Sequence, residues 1–392
     1  MAQINTLSPF SIVASNALLT EAELILYIYT GAVNGAWTGN ATYTLSATEV
    51  NGTCVFEVAD LIKDFISANF DGTYDPDTED AVWVDYRLTQ ELSSGATATS
   101  TTLGTPCYYG YGYFLDGANP QLFPSNTDNK ATMQDNNTIY VPYQSPVRIP
   151  VRADAVQSVS FEYQGQLIRT QTTFASTTDS AGLIQYINNI NDTEEKTFDT
   201  YKSFVTGRNK DLSEFESSPL LEGFLNEDPL FPCDTIHIAD TDGDVMTYNV
   251  ENLCECKYDP VKLTFYNKYG ALQDLWFFKN TTKNLKILKS TTYTTNLLKK
   301  NGTYDVTAHQ DRILDKNGQT SLLLNSGWYS EDNNEAMKQL MLSEKVWIFY
   351  DNQTIPCVVT DSSFTFKNSL TDKLFQHQLQ VDFAFSTIND VR

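Results

Sequence analysis

Chemistry at a protein site needs titratable or metal-binding groups brought together, and few stand out here. The 392 residues include three histidines (His237, His309, His377) and six cysteines: Cys54, Cys107, Cys233, Cys254, Cys256 and Cys357. Cys233, His237, Cys254 and Cys256 are the candidate metal set. Cys-x-x-x-His followed by Cys-x-Cys offers four soft ligands, the number a tetrahedral zinc takes. That spacing fits no common zinc module, and Cys-x-Cys on a strand puts two small hydrophobes on one face. Reduced core thiols are therefore the expectation, with no metal or other cofactor.

Other chemical readings are weaker still. "ADTDGDVM" alternates Asp240, Asp242 and Asp244 in the manner of a calcium loop, but Gly243 is misplaced and no bidentate Glu follows. An Asp-Gly hairpin turn accounts for it. No nucleophile elbow, Walker loop, zinc-protease motif or dinucleotide fingerprint occurs. An acidic chain offers many carboxylate pairs, and nothing singles out two for glycoside hydrolysis. Aromatics in "YYGYGYF" suit either sugar stacking or a packed strand whose glycines admit bulky neighbours. No catalytic residue is assigned, and the chain is expected not to be an enzyme.

Composition sets the scaffold. The chain is 41% hydrophobic, 12% aromatic and only 19% charged. Abundant Thr, Ser and Asn suit exposed strand faces, so the expected class is mainly β, with two to three β-sandwich-like domains and a few short helices. A net charge of -23 repels phosphate backbones and anionic lipid, which argues against nucleic-acid partners and membrane binding. No apolar run approaches the roughly 18 residues needed to span a bilayer. Synthesis in the cytosol is expected.

Periodicity divides the chain into an N-terminal domain (1–118), a linker or arm (119–145), a middle domain (146–255) and a C-terminal domain (256–392). "AELILYIYTG" has strand alternation, and "ATYTLSATEVNGTCVFEV" has a hairpin signal over Asn51-Gly52. "ADLIKDFISANF" reads as a short helix capped by Asp60, and "SSGATATSTTLGT" as a polar loop. Further hairpins are expected over Gln164-Gly165 and Asp242-Gly243. A long irregular loop is expected at 188–231. One helix is expected near 331–342, capped by Ser330, with Ala336, Met337, Leu340 and Met341 on its inner face.

The stretch "KYDPVKLTFYNKYGALQDLWFFKN" is two strands around an Asn-Lys-Tyr-Gly turn. Its second strand is apolar on both faces and must be covered twice. Together with "LNSGWYSEDNNEAMKQLMLSEKVWIFYDNQTIPCVVTDSSFTFKNSLTDKLFQHQLQVDFAF" and the N-terminal pattern, it resembles tail-associated structural proteins of tailed bacteriophages of Bacteroidetes-like or marine hosts. The resemblance touches both ends of the chain. It implies a β-rich virion subunit of the tail, tail tip, baseplate or neck, and it carries over no catalytic residues.

Under that resemblance the partners are copies of the chain and other tail proteins, with a host glycan or receptor as the alternative reading and a polysaccharide-degrading enzyme as the least favoured. Phe265, Tyr266, Trp276, Phe277 and Phe278 are then core and interface anchors. Trp328, Leu340 and Trp347 are expected to pack the late helix onto the final sheet.

Overall fold

The computed structural model describes residues 4–30, 40–72, 82–120, 131–142, 145–151, 156–171, 182–188, 204–207, 230–231, 233–253, 257–287, 291–296, 298, 301–303, 305–361 and 374–388. The fold is mainly β, built from several multi-stranded sheets. Among the described residues no helix is long and apolar enough to cross a membrane.

The N-terminal unit contains β1 (Ile4–Asn5), β2 (Ser11–Ser15), β3 (Leu19–Thr30), β4 (Tyr43–Thr48), β5 (Thr53–Glu57), helix α1 (Ala59–Lys63), β6 (Val82–Leu92) and β7 (Thr97–Tyr108). Five strands form a sheet in the order β1-β7-β6-β3-β4, and β2 pairs with β5 in a separate ribbon. Alternation along β3 buries Ala22, Leu24, Leu26 and Ile28, and the ribbon closes over them with Ile12, Ala14, Cys54 and Phe56.

Three local expectations are corrected in this unit. Asn51 and Gly52 do make the tight turn, with φ of 55° and 77°. Yet the flanking strands do not pair as a hairpin: β4 lies on β3 and β5 on β2. The turn passes the chain from one layer to the other. The supposed polar loop is largely β7, antiparallel to β6. Its first half is exposed to solvent, so no apolar alternation marks it, while its threonines favour extended backbone. Asp60 sits in the first turn of α1, and Val58 holds the cap position without a side-chain bond.

The middle unit contains β8 (Thr138–Pro142), β9 (Pro146–Val151), β10 (Val156–Tyr163), β11 (Gln166–Gln171), β12 (Gly182–Asn188), β13 (Phe204–Gly207), β14 (Leu230–Phe231), β15 (Thr235–Asp240) and β16 (Val245–Leu253). One sheet runs β11-β10-β15-β16-β8; the other joins β13, β12 and β14, with β9 also on β12. Val147, Ile149 and Val151 of β9 share a core with Val159, Phe161, Ile236, Ile238 and Tyr248. The hairpins over Gln164-Gly165 and Asp242-Gly243 form as expected. From residue 131 the expected linker is integral to the fold: Ala131 and Met133 are fully buried, and β8 pairs in parallel with β16. Of the expected loop at 188–231, residues 189–203 and 208–229 lie outside the described residues.

The C-terminal unit contains β17 (Val261–Tyr266), β18 (Leu272–Phe277), β19 (Thr282–Ile287), β20 (Thr291–Thr294), β21 (Asp311–Asp315), β22 (Gly318–Ser330), helix α2 (Asn333–Leu342), β23 (Val346–Tyr350), β24 (Gln353–Val359) and β25 (Leu374–Phe383). Its sheet has seven strands in the order β18-β17-β23-β24-β25-β22-β19. Ala336, Met337 and Leu340 of α2 enter the same core as Leu263, Phe265, Phe277 and Leu322. Ser330 is the last residue of β22, and its hydroxyl bonds the Asp332 carboxylate instead of capping the helix. Asp332 occupies the cap position and turns its other oxygen to the backbone N–H groups of Asn137 and Thr138.

Candidate functional site

The turn Asn267-Lys268-Tyr269-Gly270 is where the three units meet. Backbone geometry makes it tight: the Gly270 N–H donates to the Asn267 carbonyl at 2.9 Å, and Gly270 adopts φ of 74°. Asn267 is fully buried, with each of its hydrogen-bonding sites used. Its Nδ2 donates to Met133 O and Gln273 Oε1, while its Oδ1 accepts from the N–H groups of Tyr269 and Ala271. Gln273 donates on to Asn136 at 2.8 Å, and Asn136 donates to Asn333 at 3.2 Å. A buried amide chain thus links the turn, the 131–138 segment and the first residue of α2.

Further bonds gather on Asp135. Its carboxylate accepts from the Tyr269 hydroxyl (2.5 Å), Gln339 Nε2 (2.7 Å) and Lys268 Nζ (2.8 Å). The N-terminal unit enters through the segment after β7. The Tyr111 N–H donates to the Lys268 carbonyl, the Tyr113 hydroxyl donates to Glu335 at 2.5 Å, and Lys338 Nζ lies 3.5 Å from the Tyr113 ring centre. Two glycines permit this approach. A Cβ on Gly110 would stand 2.5 Å from the Lys268 carbonyl oxygen, and one on Gly270 would stand 2.8 Å from the Tyr108 Cβ. Neither site has room for a side chain.

Aromatic packing completes the joint. Phe70 and Trp347 meet edge to face at 5.6 Å, Trp347 and Tyr266 at 5.9 Å, and Tyr266 and Tyr109 at 5.6 Å. Beside them, Arg148 of the middle unit reaches Asp274 at 3.2 Å, Lys262 approaches the same carboxylate at 3.8 Å, and Thr264 donates to it at 2.7 Å. These contacts answer how a two-faced apolar hairpin is covered. Val261, Leu263, Phe265, Leu275 and Phe277 share the face toward the C-terminal core. Lys262, Thr264, Tyr266, Asp274 and Trp276 share the other face, which meets the first two units.

The anticipated core and interface anchors take these places within the chain. Phe265, Tyr266, Phe277 and Phe278 are buried by the chain itself, and Trp276, half-buried, packs between the middle and C-terminal cores. Phe265, Phe277 and Phe278 thus serve the C-terminal core, while Tyr266 and Trp276 join units of one chain. Leu340 enters the C-terminal core as expected. Trp347 packs on Phe70 and Tyr266 rather than under α2, and Trp328 is exposed. Tyr108 and Tyr109 of "YYGYGYF" are buried, and only Phe114, on a 3-10 turn at Phe114–Asp116, projects fully into solvent.

The candidate metal set is not assembled by its described members. Cys233 lies in the middle core, where its thiol donates to the Thr235 carbonyl. His237 is partly exposed on β15, bonded through Nδ1 to Thr247 and facing Glu162 at 3.4 Å through Nε2. Cys254 and Cys256 lie outside the described residues. Among the described residues no group of three or more His, Cys, Asp or Glu could hold a metal ion. Asp240 accepts at 2.9 Å from the N–H groups of Asp242 and Asp244, which makes the Asp-rich loop a self-bonded turn.

Electrostatics in the joint favour holding over proton transfer. Burial, and then the Glu335 hydrogen bond, push the Tyr113 phenol far up; burial and Asp135 do the same to Tyr269. Both stay protonated donors across the physiological range. Burial pushes the Cys357 thiol up to about 12 and raises Cys107 well above the usual value. Burial also lowers Lys262, an effect opposed by Asp274. Sequence reasoning missed this joint because Asn267, Gln273, Asn136, Asn333 and Gln339 have polar types ordinarily assigned to the surface. The legible signal was the doubly apolar strand itself. No protein-family model matches the chain, and no curated protein matches its sequence.

Proposed function

We propose that this chain is a non-enzymatic structural subunit of a tailed-bacteriophage particle, placed in the tail, tail tip, baseplate or neck. It works by shape, and its partners are copies of itself and other tail proteins. The observation that carries the reading is the three-way joint. Three β units are locked together by a satisfied buried amide chain, a multiply bonded Asp135 and interlocking glycine contacts. A load-transmitting subunit needs such fixed geometry between units, whereas independent binding modules tolerate hinges between them. The sequence resemblance to tail-associated proteins supports the same assignment. Mass spectrometry of purified virions tests it: the chain is expected at fixed stoichiometry with known tail components, and its absence from clean particles would overturn the proposal.

A further inference from the structure

The seven-stranded sheet ends at β19, which pairs on one side with β22. All six residues of β19 are exposed, and among the described residues no strand pairs with its outer edge. Register puts Lys283 beside Leu322, with Leu285 and Ile287 following on the same face. Leu322 on that face belongs to the core. Among the described residues the apolar face therefore runs out to the rim uncovered, with Leu285 59% and Ile287 54% exposed. The β20–β21 ribbon, next in the chain, also exposes Tyr293 and Ile313.

Charge marks the same rim: β19 carries Lys283 and Lys286, the latter 3.7 Å from Asp382, and no Asp or Glu, in a chain of net charge -23. Residues 1–118 are the reverse, with 14 Asp and Glu against only Lys63 and Arg87. In the N-terminal sheet Glu21 stands directly opposite Glu91 in the β3–β6 ladder, and exposed Glu23 and Glu49 lie nearby. Like charges directly across a ladder destabilise it. Lysines alone would merely guard an edge against pairing. A guarded edge does not also present two aliphatic side chains that are more than half exposed.

We propose that the β19 edge of one copy docks head to tail on the acidic N-terminal sheet of a second copy, near the Glu21–Glu91 pair. This rests on the chain being an assembling subunit and names the surfaces it assembles through. The two surfaces differ, so the contact is heterologous, and repeating it gives a closed ring or an open filament. Repulsion between two acidic sheets disfavours the head-to-head alternative.

Sedimentation velocity of the full chain, at salt from about 20 mM to about 500 mM, tests the contact through its screening. Self-association is expected at low salt and should weaken as salt rises. Lys283→Glu with Lys286→Glu should weaken it by about tenfold or more, as should Glu21→Lys with Glu91→Lys. Mixing the two doubly reversed variants should restore association, because each then offers the other a complementary surface. Leu285→Ser should weaken it with no change of charge, and unchanged melting of each variant shows that folding is intact. A wild-type chain that stays monomeric at low salt, or charge reversals without effect, would overturn the proposal. A monomeric chain still found in virions would sink the docking contact alone, and a self-associating chain missing from virions would sink only the virion assignment.

Discussion

The two ends of the seven-stranded sheet are finished in opposite ways. At one end, β17 and β18 have a second face covered by the other units, and every polar group of Asn267 is matched. At the other end, among the described residues, β19 lies open with lysines and exposed aliphatic side chains. Both ends are made from strands of similar length and β propensity, so the strands do not decide the difference. What decides it is whether the chain supplies its own cover. The closed end fixes the shape of one copy, and the open end is the edge proposed above to meet a second copy.

Substitutions at the closed end should cost the most. Asp274→Ala leaves Arg148 and Lys262 largely buried without their shared carboxylate. Removing one partner from such a site costs about 3–5 kcal/mol, to be read as a lowered midpoint in denaturant unfolding. Gly110→Ala drives a methyl against the Lys268 carbonyl. A loss of about 1–3 kcal/mol is expected from overpacking, with the N-terminal unit loosened in hydrogen exchange. At the open end Leu285→Ser should shift stability by no more than about 0.5 kcal/mol, measured in the same unfolding experiment. A large loss there would show that β19 is as closed as β18 and erase the contrast.

Smaller effects sharpen the picture. With its pKa near 12, Cys357 is thiolate in only about one molecule in ten thousand at pH 8. Cys357 and Cys107 should therefore resist alkylation in the native chain and react after denaturation, as peptide mass mapping would register. The Tyr109 hydroxyl donates to exposed Glu344 at 2.6 Å and, helped by Lys63, holds that carboxyl below the usual Glu range. A depressed carboxylate contributes stability above its unfolded pKa and loses it as pH falls through the folded value. Tyr109→Phe should thus lower stability slightly near neutrality. The difference from wild type should close on acidification below the usual Glu range, as thermal melts across pH would reveal.

Much of the fold was legible because its signals are local. Gln164-Gly165, Asp242-Gly243 and Asn267–Gly270 are turns by residue type, and β3 alternates as a half-buried strand must. What escaped depends on partners. Asn51-Gly52 announces a turn but not that its arms belong to different sheets. The exposed first half of β7 buries no face, so hydrophobic period is silent there. Residues 131–142 carry prolines and asparagines nearby and read as a tether, yet Gln134 and Asn136 are buried: Gln134 donates to the Asn136 carbonyl, and the distant amides of Gln273 and Asn333 satisfy the Asn136 side chain. A polar side chain with a remote partner looks the same in sequence as one facing water.

The joint also sets a timetable for biogenesis. Its bonds span 197 residues from Asn136 to Asn333, 222 from Tyr113 to Glu335 and 235 from Tyr109 to Glu344. On a translating ribosome the early tyrosines must wait on the order of ten seconds or more for their mates to emerge. Until then they are uncovered aromatic surface, a natural substrate for chaperones. Truncation before α2 would leave the N-terminal unit permanently in that state.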